Sequence, residues 1–317
     1  MKQTGLVEYI IKLLLITVTS GGAIVAAQSK ITPINYPILQ EPEKVMLGKA
    51  LFKDPLLLGN DGLTCLSCHF LNQGGSYPAA LGHPAQGVGI NVPTVLNTSL
   101  NFRWKWNGRF TSLKDHLLSA IDNNSQHDSW SDILHRLRSQ GDYQARFEGV
   151  YGELTQATVV DAIVRYEEAL IAPSPFDAYL QGQEDAISEK AKLGYQRFQE
   201  YGCIACHQGK NIGGNLLQPI GLINPFFTSD KVIQSIDLGR FNVTGRAEDK
   251  HIFRVPSLRN VARTGPYLHD GSIEDLGNAV RIIAYHQLGR YLPSDDVDLI
   301  VAFLTTLSGD PLAELLP

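Results

Sequence analysis

The chain has 317 residues, 44% hydrophobic and 19% charged, which suits two compact domains and excludes collagen-like, coiled-coil and low-complexity architectures. A formal net charge of -5, with no Lys/Arg run, gives no electrostatic footprint for a phosphate backbone and argues against nucleic acid as a partner. Sulfur is scarce: there are four Cys and two Met, one of them the initiator, so spacing and ligation arguments are tightly constrained.

In chain order, the first segment sets Lys2 and Lys12 ahead of an apolar run from Leu13 and ends in the small residues Ala26 and Ala27. Residues 1–27 read as a secretory signal peptide cleaved after Ala27; Gly21 and Gly22 interrupt the run and disfavour an uncleaved anchor. No second apolar span follows, so the expected location is the periplasm. In that oxidising compartment four Cys can form two disulfides, and their spacing must decide.

The next element is a helix over Glu43 to Phe52, with apolar residues at i, i+3 and i+4. Met46, the only Met of the mature chain, lies on it. A CxxCH follows, and then a long Gly/Pro/Asn stretch from Asn72 to Gly89 without period-2 alternation, the kind of loop that wraps a ligand or carries function. Asp161 to Leu170 is again helical. Prolines then break the pattern at Ala172-Pro-Ser-Pro-Phe176, and a linker is expected from there to Ala186. Glu189 to Tyr201 is a helix before a second CxxCH, Gly209 to Pro225 is a second long loop, and Asp298 to Leu307 closes the chain as a helix.

These elements repeat. Glu43-Lys44-x-x-Leu47-Gly48-x-x-x-Phe52 returns as Glu189-Lys190-x-x-Leu193-Gly194-x-x-x-Phe198. Val92-Pro93-Thr94-x-x-Asn97 and Asn107-Gly108-x-Phe110-x-x-Leu113 return 163 residues later as Val255-Pro256-Ser257-x-x-Asn260 and Asp270-Gly271-x-Ile273-x-x-Leu276. The chain is therefore read as mainly α, a tandem of two related helical domains over 28–180 and 181–317.

All four Cys sit in Cys65-Leu66-Ser67-Cys68-His69 and Cys203-Ile204-Ala205-Cys206-His207. CxxCH is the attachment signature of c-type heme: two Cys one turn apart form thioethers to the vinyl groups and the adjoining His ligates iron. A thioredoxin-like reading lacks a βαβ pattern, and a shared zinc site would need far closer pairs. Two covalent hemes are expected, each the core of a cytochrome c-like domain. The second axial ligand separates electron transfer from reaction with small oxidants. Met46 has Lys192 as its repeat partner, so a Met-ligated second heme is not expected. Of the remaining His, His83 in the Gly82-His83-Pro84 loop is the candidate distal ligand or acid/base. His135 and His251 lie among charged residues and read as solvated, while His116 and His127 are open between pocket and surface. Trp106 and His269 hold equivalent places before the (Asn/Asp)-Gly pair, where an aromatic or imidazole between two hemes can pass electrons; core packing is the alternative for Trp106.

With these residues assembled, the chain resembles the bacterial diheme cytochrome c peroxidases, including their MauG-like branch. The resemblance runs from the Leu47-to-Phe52 helix to the Ile300-to-Leu304 helix and is most specific at Leu238 to Gly245, Phe253 to Val261 and Gly265 to Gly271. It implies hydrogen peroxide as substrate at the N-terminal heme and electrons entering at the C-terminal heme from a small cytochrome c or cupredoxin. It further implies His69 and His207 as proximal ligands, His83 as a distal His that leaves iron on activation, and Trp106 as the inter-heme tryptophan. An interdomain Ca2+ held by Asn91 and the carbonyls of Thr264 and Pro266 is implied too, an all-oxygen set that suits this ion. Dimers occur among such proteins, so a homodimer is an expectation without a surface patch behind it.

Three departures from the family pattern matter. The distal Met of the second heme falls at Ile283, with Tyr285 and His286 nearby as replacement ligands; His286, three residues on, faces more nearly the same way on a helix. The catalytic Glu falls at Gln126, whose amide cannot shuttle the proton that O–O cleavage requires. The neighbouring pocket Gln falls at His116, which is the expected substitute acid/base, with Asp122, His127 and Asp128 in reserve. The loop around His83 is only loosely family-like. Two rival readings follow: oxidation of residues in a protein partner, as in the branch where Tyr replaces Met, and a non-catalytic electron carrier.

Overall fold

A computed structural model describes residues 31–59, 62–77, 81–82, 89–125, 128–229 and 232–317. The signal-peptide segment, His83, Gln126 and His127 lie outside the described residues.

The first half opens with helix α1 (Pro42–Lys53), where Pro42 occupies the first turn and Glu43 and Lys53 complement the helix dipole. A hairpin of β1 (Leu81–Gly82) and β2 (Gly89–Ile90) follows, then α2 (Leu113–Asn124), α3 (Trp130–Ser139), α4 (Tyr143–Tyr151) and α5 (Gln156–Ala169). The side chains of Ser112, Ser129 and Thr155 accept from backbone N–H groups in the first turns of α2, α3 and α5, which sets those helix starts. The second half contains α6 (Pro175–Leu180), α7 (Glu189–Glu200), β3 (Leu217–Pro219), α8 (Phe241–Thr244), β4 (Ile252–Arg254), α9 (Leu276–Leu288) and α10 (Ser294–Thr305). β3 pairs antiparallel with β4, Gln218 opposite Phe253. Among the described residues, the strands in and beside the long loops that show no alternation in sequence are two or three residues long, too short to produce a period. Among the described residues no helix is long and apolar enough to cross a membrane.

Buried apolar residues form two clusters. One runs from Val45 to Ala172 and takes in Leu315; the other gathers Ile31 with Phe176 to Leu307. In each, the helix before the CxxCH crosses the helix that closes the repeat, α1 on α5 and α7 on α10, and each crossing is set by a glycine. A Cβ on Gly48 would lie 1.9 Å from the Ala162 carbonyl oxygen, and one on Gly194 would lie 1.9 Å from that of Leu299. The turns repeat as well. Asn97 (φ 58°) and Asn260 (φ 61°) take the left-handed conformation that Asn tolerates. Asn97 Oδ1 accepts from the Ala172 N–H at 2.8 Å, and Asn260 Oδ1 from the Gly309 N–H at 3.0 Å.

The stretch between Ala172 and Ala186, which its prolines mark as an interruption, carries α6. Pro175 falls where a missing N–H costs nothing, and the Asp177 carboxylate accepts from Ser174 N and Oγ at 2.8 and 2.7 Å. Asp177 also receives both Nη atoms of Arg259 at 2.8 Å and the Ile34 N–H at 2.9 Å. Arg259, 1% exposed, further donates Nε to the Lys210 carbonyl at 2.7 Å. This bidentate pair fastens the leading segment, α6 and the loop after the second CxxCH at one buried point.

Candidate heme-binding sites

Both CxxCH motifs form a single tight turn. Cys68 N and His69 N donate to the Cys65 carbonyl at 3.2 and 2.9 Å; Cys206 N and His207 N donate to that of Cys203 at 3.2 and 3.0 Å. One turn of chain therefore gathers two thiols and an imidazole, the grouping that c-type attachment needs. All four Cys are free thiols. Burial, with the Glu167 and Cys68 charges behind it, pushes the Cys65 thiol up to about 12, and burial pushes Cys203 up to about 11. Redox-active CxxC pairs have the opposite shift.

The two histidines are prepared as neutral ligands. Burial pushes His69 down to about 4 and His207 down to about 4. His69 Nδ1 faces the Gly75 carbonyl at 3.2 Å and His207 Nδ1 that of Ile212 at 3.4 Å, which leaves Nε2 of each ring for a metal. Gly213 (φ 123°) makes room for the second: a Cβ there would lie 2.2 Å from the Pro256 carbonyl oxygen and 3.3 Å from His207 Nδ1. Cys203, Cys206 and His207 open into a cavity of about 250 Å3 walled by α9 and α10 residues. Protonated thiols and a neutral imidazole anchored at Nδ1 fit a covalently held heme at each motif, and the cavity beside Cys203, Cys206 and His207 adds room for one at the second.

On the first site, His116 projects from α2 beside Phe110, ring centroids 5.7 Å apart. Its Nδ1 is buried without a partner, and burial, then the charges of Lys105, His69 and Arg254, push the ring down to about 4. The ring is therefore a neutral imidazole with one nitrogen left without a partner. Asp122 and Asp128, the reserves, are committed elsewhere: Asp122 Oδ1 accepts from Trp130 Nε1 at 3.0 Å, and Asp128 Oδ2 pairs with Arg136 Nη1 at 2.6 Å.

Trp106 lies between the repeats. Its Nε1 donates to the Asn91 carbonyl at 2.8 Å, and its own carbonyl accepts the Arg254 N–H at 2.7 Å. Asn91 Nδ2 donates to the carbonyls of Pro266 (2.6 Å) and Leu268 (2.9 Å), while Oδ1 is buried without a partner. Leu268, rather than Thr264, is the second carbonyl on the Asn91 amide, and Thr264 lines the adjoining cavity. Turning the amide over, a choice of orientation that hydrogen-bonding alone decides, sets Oδ1 against both carbonyls as an oxygen cluster suited to a hard cation.

The replacement ligands expected at the second heme are corrected. Ile283 does line the cavity with His207, but Tyr285 and His286 do not. His286 Nδ1 meets the Asn224 carbonyl at 2.9 Å and its ring packs on Phe226; Tyr285 packs against Tyr291, centroids 4.9 Å apart. The α9 residues on the cavity, among them Leu276, Ala279, Val280, Ile283, Ala284 and Gln287, recur at steps of three and four; at about 100° per residue Tyr285 falls on the opposite side of the helix and His286 beyond the edge of that face. His251 is corrected as well: it is half-buried, with Nδ1 at 2.7 Å from the Asp237 carbonyl and its ring 4.3 Å from that of Phe227. His269 is buried beside it, Nε2 at 2.6 Å from Asp237 Oδ1. Met46 is 44% exposed on α1.

Two residues of these sites escape the motif reading. Glu167 on α5 is 4% exposed beside Cys65, and burial pushes its carboxyl up to about 8, so it is protonated at neutral pH. Its partner in the repeat is Leu304, and that exchange was the available signal. Arg254 is buried between the halves, donating Nη1 to Asn101 Oδ1 at 3.1 Å with Nε unpartnered; burial pushes it down to about 10, still a cation.

Paired CxxCH turns in a doubled helical frame define a di-heme cytochrome of the c type. The family model for di-haem cytochrome c peroxidase matches residues 42–185. Cytochrome c551 peroxidase of Nitrosomonas europaea is 37% identical over 297 residues, covering 92% of this chain and 87% of the relative. That of Pseudomonas aeruginosa is 39% identical over 271 residues, covering 83% and 78%. A solved MauG-like protein associated with microbial copper homeostasis shares the fold, with TM-score 0.72 at 24% identity over 88% of this chain and 93% of that one. The chain belongs to the di-haem cytochrome c peroxidase family.

Proposed function

We propose that the protein is an exported, periplasmic di-heme peroxidase that reduces hydrogen peroxide to water with electrons from a small soluble cytochrome c or cupredoxin. The observation that carries this reading is the pair of CxxCH turns, each with a neutral, anchored imidazole, in a chain so similar over its length to cytochrome c551 peroxidases. The hemes, when bound, supply the redox chemistry. Cys65, Cys68 and His69 hold the N-terminal group, and Cys203, Cys206 and His207 hold the C-terminal one. His83 is the distal residue of the first site. His116 accepts a proton from peroxide and returns it to the departing oxygen, the role that the Gln126 amide cannot perform. Burial, then the charges of Lys105, His69 and Arg254, keep His116 neutral before substrate arrives. Trp106 ties the two halves through Asn91 and Arg254, and lies on the route for electrons between them. Asn91 with the carbonyls of Pro266 and Leu268 holds Ca2+ at the same junction.

The test is oxidation of a reduced small cytochrome c by peroxide with purified protein carrying both hemes. The expected result is peroxide-dependent oxidation of two donor molecules per peroxide. Full heme content without oxidation of cytochrome or cupredoxin donors overturns the reading.

A further inference from the structure

Helix α9 shares the second cavity with His207 through Ala279, Val280, Ile283 and Ala284, and none of these carries an atom that ligates heme iron. The polar side chains reaching the same cavity from this region are committed. Gln287 Oε1 accepts the Gly221 and Leu222 N–H groups at 2.7 and 2.9 Å, and its Nε2 donates to the Pro219 carbonyl at 3.0 Å. His269 is held through Nε2 by Asp237 at 2.6 Å, and Tyr267 donates its hydroxyl to the Val261 carbonyl at 3.1 Å. The four Cys all belong to the CxxCH turns, and exposed Met46 sits on α1 in the other half.

We propose that the heme on Cys203, Cys206 and His207 has no protein ligand on the side of the iron away from His207, and that this sixth position is a binding site for small neutral ligands of the carbon monoxide and nitric oxide class. Ala279, Val280, Ile283 and Ala284 present hydrocarbon from α9 to this cavity, a wall that suits a neutral diatomic. The inference rests on the di-heme reading and is independent of peroxide turnover.

The test is carbon monoxide titration of the dithionite-reduced holoprotein, with both hemes counted by pyridine hemochrome. It uses a His83→Ala background so that the first heme has no cap from that loop. The expected result is two carbon monoxide molecules per chain. Adding Ile283→Met, which places a thioether on the cavity wall, is expected to lower this to one and to bring in the red absorbance of thioether-ligated ferric heme. One carbon monoxide per chain in the His83→Ala protein with both hemes present overturns the proposal, whether the occupying ligand is His269 released from Asp237 or another residue. Loss of peroxide turnover leaves the carbon monoxide count unchanged, so the two readings fail separately.

Discussion

Helices α2 and α9 hold equivalent places in the repeat and start from equivalent caps, Ser112 and Asp275, yet His116 on the first is matched by Ala279 on the second. Matched positions around both sites carry side chains of different polarity or charge. Glu167 beside Cys65 is matched by Leu304; Asn91, with its unpartnered oxygen, is matched by the guanidinium of Arg254; and Leu96 in the first core is matched by Arg259 in the second. The glycine crossings and left-handed asparagines, by contrast, are the same in both halves. Duplicated backbone geometry fixes where side chains point, and function diverges through what is placed at those fixed points.

The sharpest contrast in stability terms is Arg259 against Leu96. Burial alone would raise the Asp177 carboxyl, but the Arg259 hydrogen bonds and charge, with the Ile34 N–H and Ser174, outweigh it and hold the group below the usual carboxylate range. Arg259→Leu makes the second core like the first but strands Asp177, and is expected to cost ~3–5 kcal/mol. Urea unfolding measures this, and a loss no larger than that of a surface substitution would mean that the pair does not fasten the leading segment. Because the Asp177 carboxyl is depressed, its contribution is present above the ordinary carboxylate range and is lost as pH falls through the folded value.

Glu167 has the opposite sign. Its folded value of about 8 lies above the ordinary 4.5, so between these the folded state keeps a proton that the unfolded chain has released. Stability therefore declines as pH rises through that window, by as much as a few kcal/mol. Glu167→Gln, or the repeat's own Glu167→Leu, is expected to flatten the decline, as read from unfolding midpoints on either side of the window. An unchanged slope would remove Glu167 from the account.

The smallest expected effect concerns Asn91 against Arg254. Asn91→Ala is expected to abolish bound calcium, measured by elemental analysis of the dialysed holoprotein, with little change in heme content. Calcium retained in that variant would place the ion elsewhere.

Much of this was legible in the sequence because it rests on local rules. The CxxCH frames, the Gly48 and Gly194 helices and the Val-Pro-[Thr/Ser]-x-x-Asn turns announce themselves at fixed spacing, and the matched residues take matched conformations. The parts that misled depend on which face of a helix is buried. Tyr285 and His286 were near Ile283 in number but off its face, and His251 looked solvated among charged neighbours while the chain folds it onto Phe227 and Asp237. Glu167 and Arg254 are single charged residues in ordinary helix and strand sequence; their burial arises from tertiary contacts that spacing does not encode.

The central claim is that the first half reacts with peroxide through a neutral His116 that the second half lacks. Rapid mixing of peroxide with the reduced two-heme protein, wild type against His116→Ala, tests it most directly. The account predicts that the substitution slows the spectral change ~10²–10⁴-fold while heme content and visible spectrum are unchanged. A variant that reacts at the wild-type rate would contradict it.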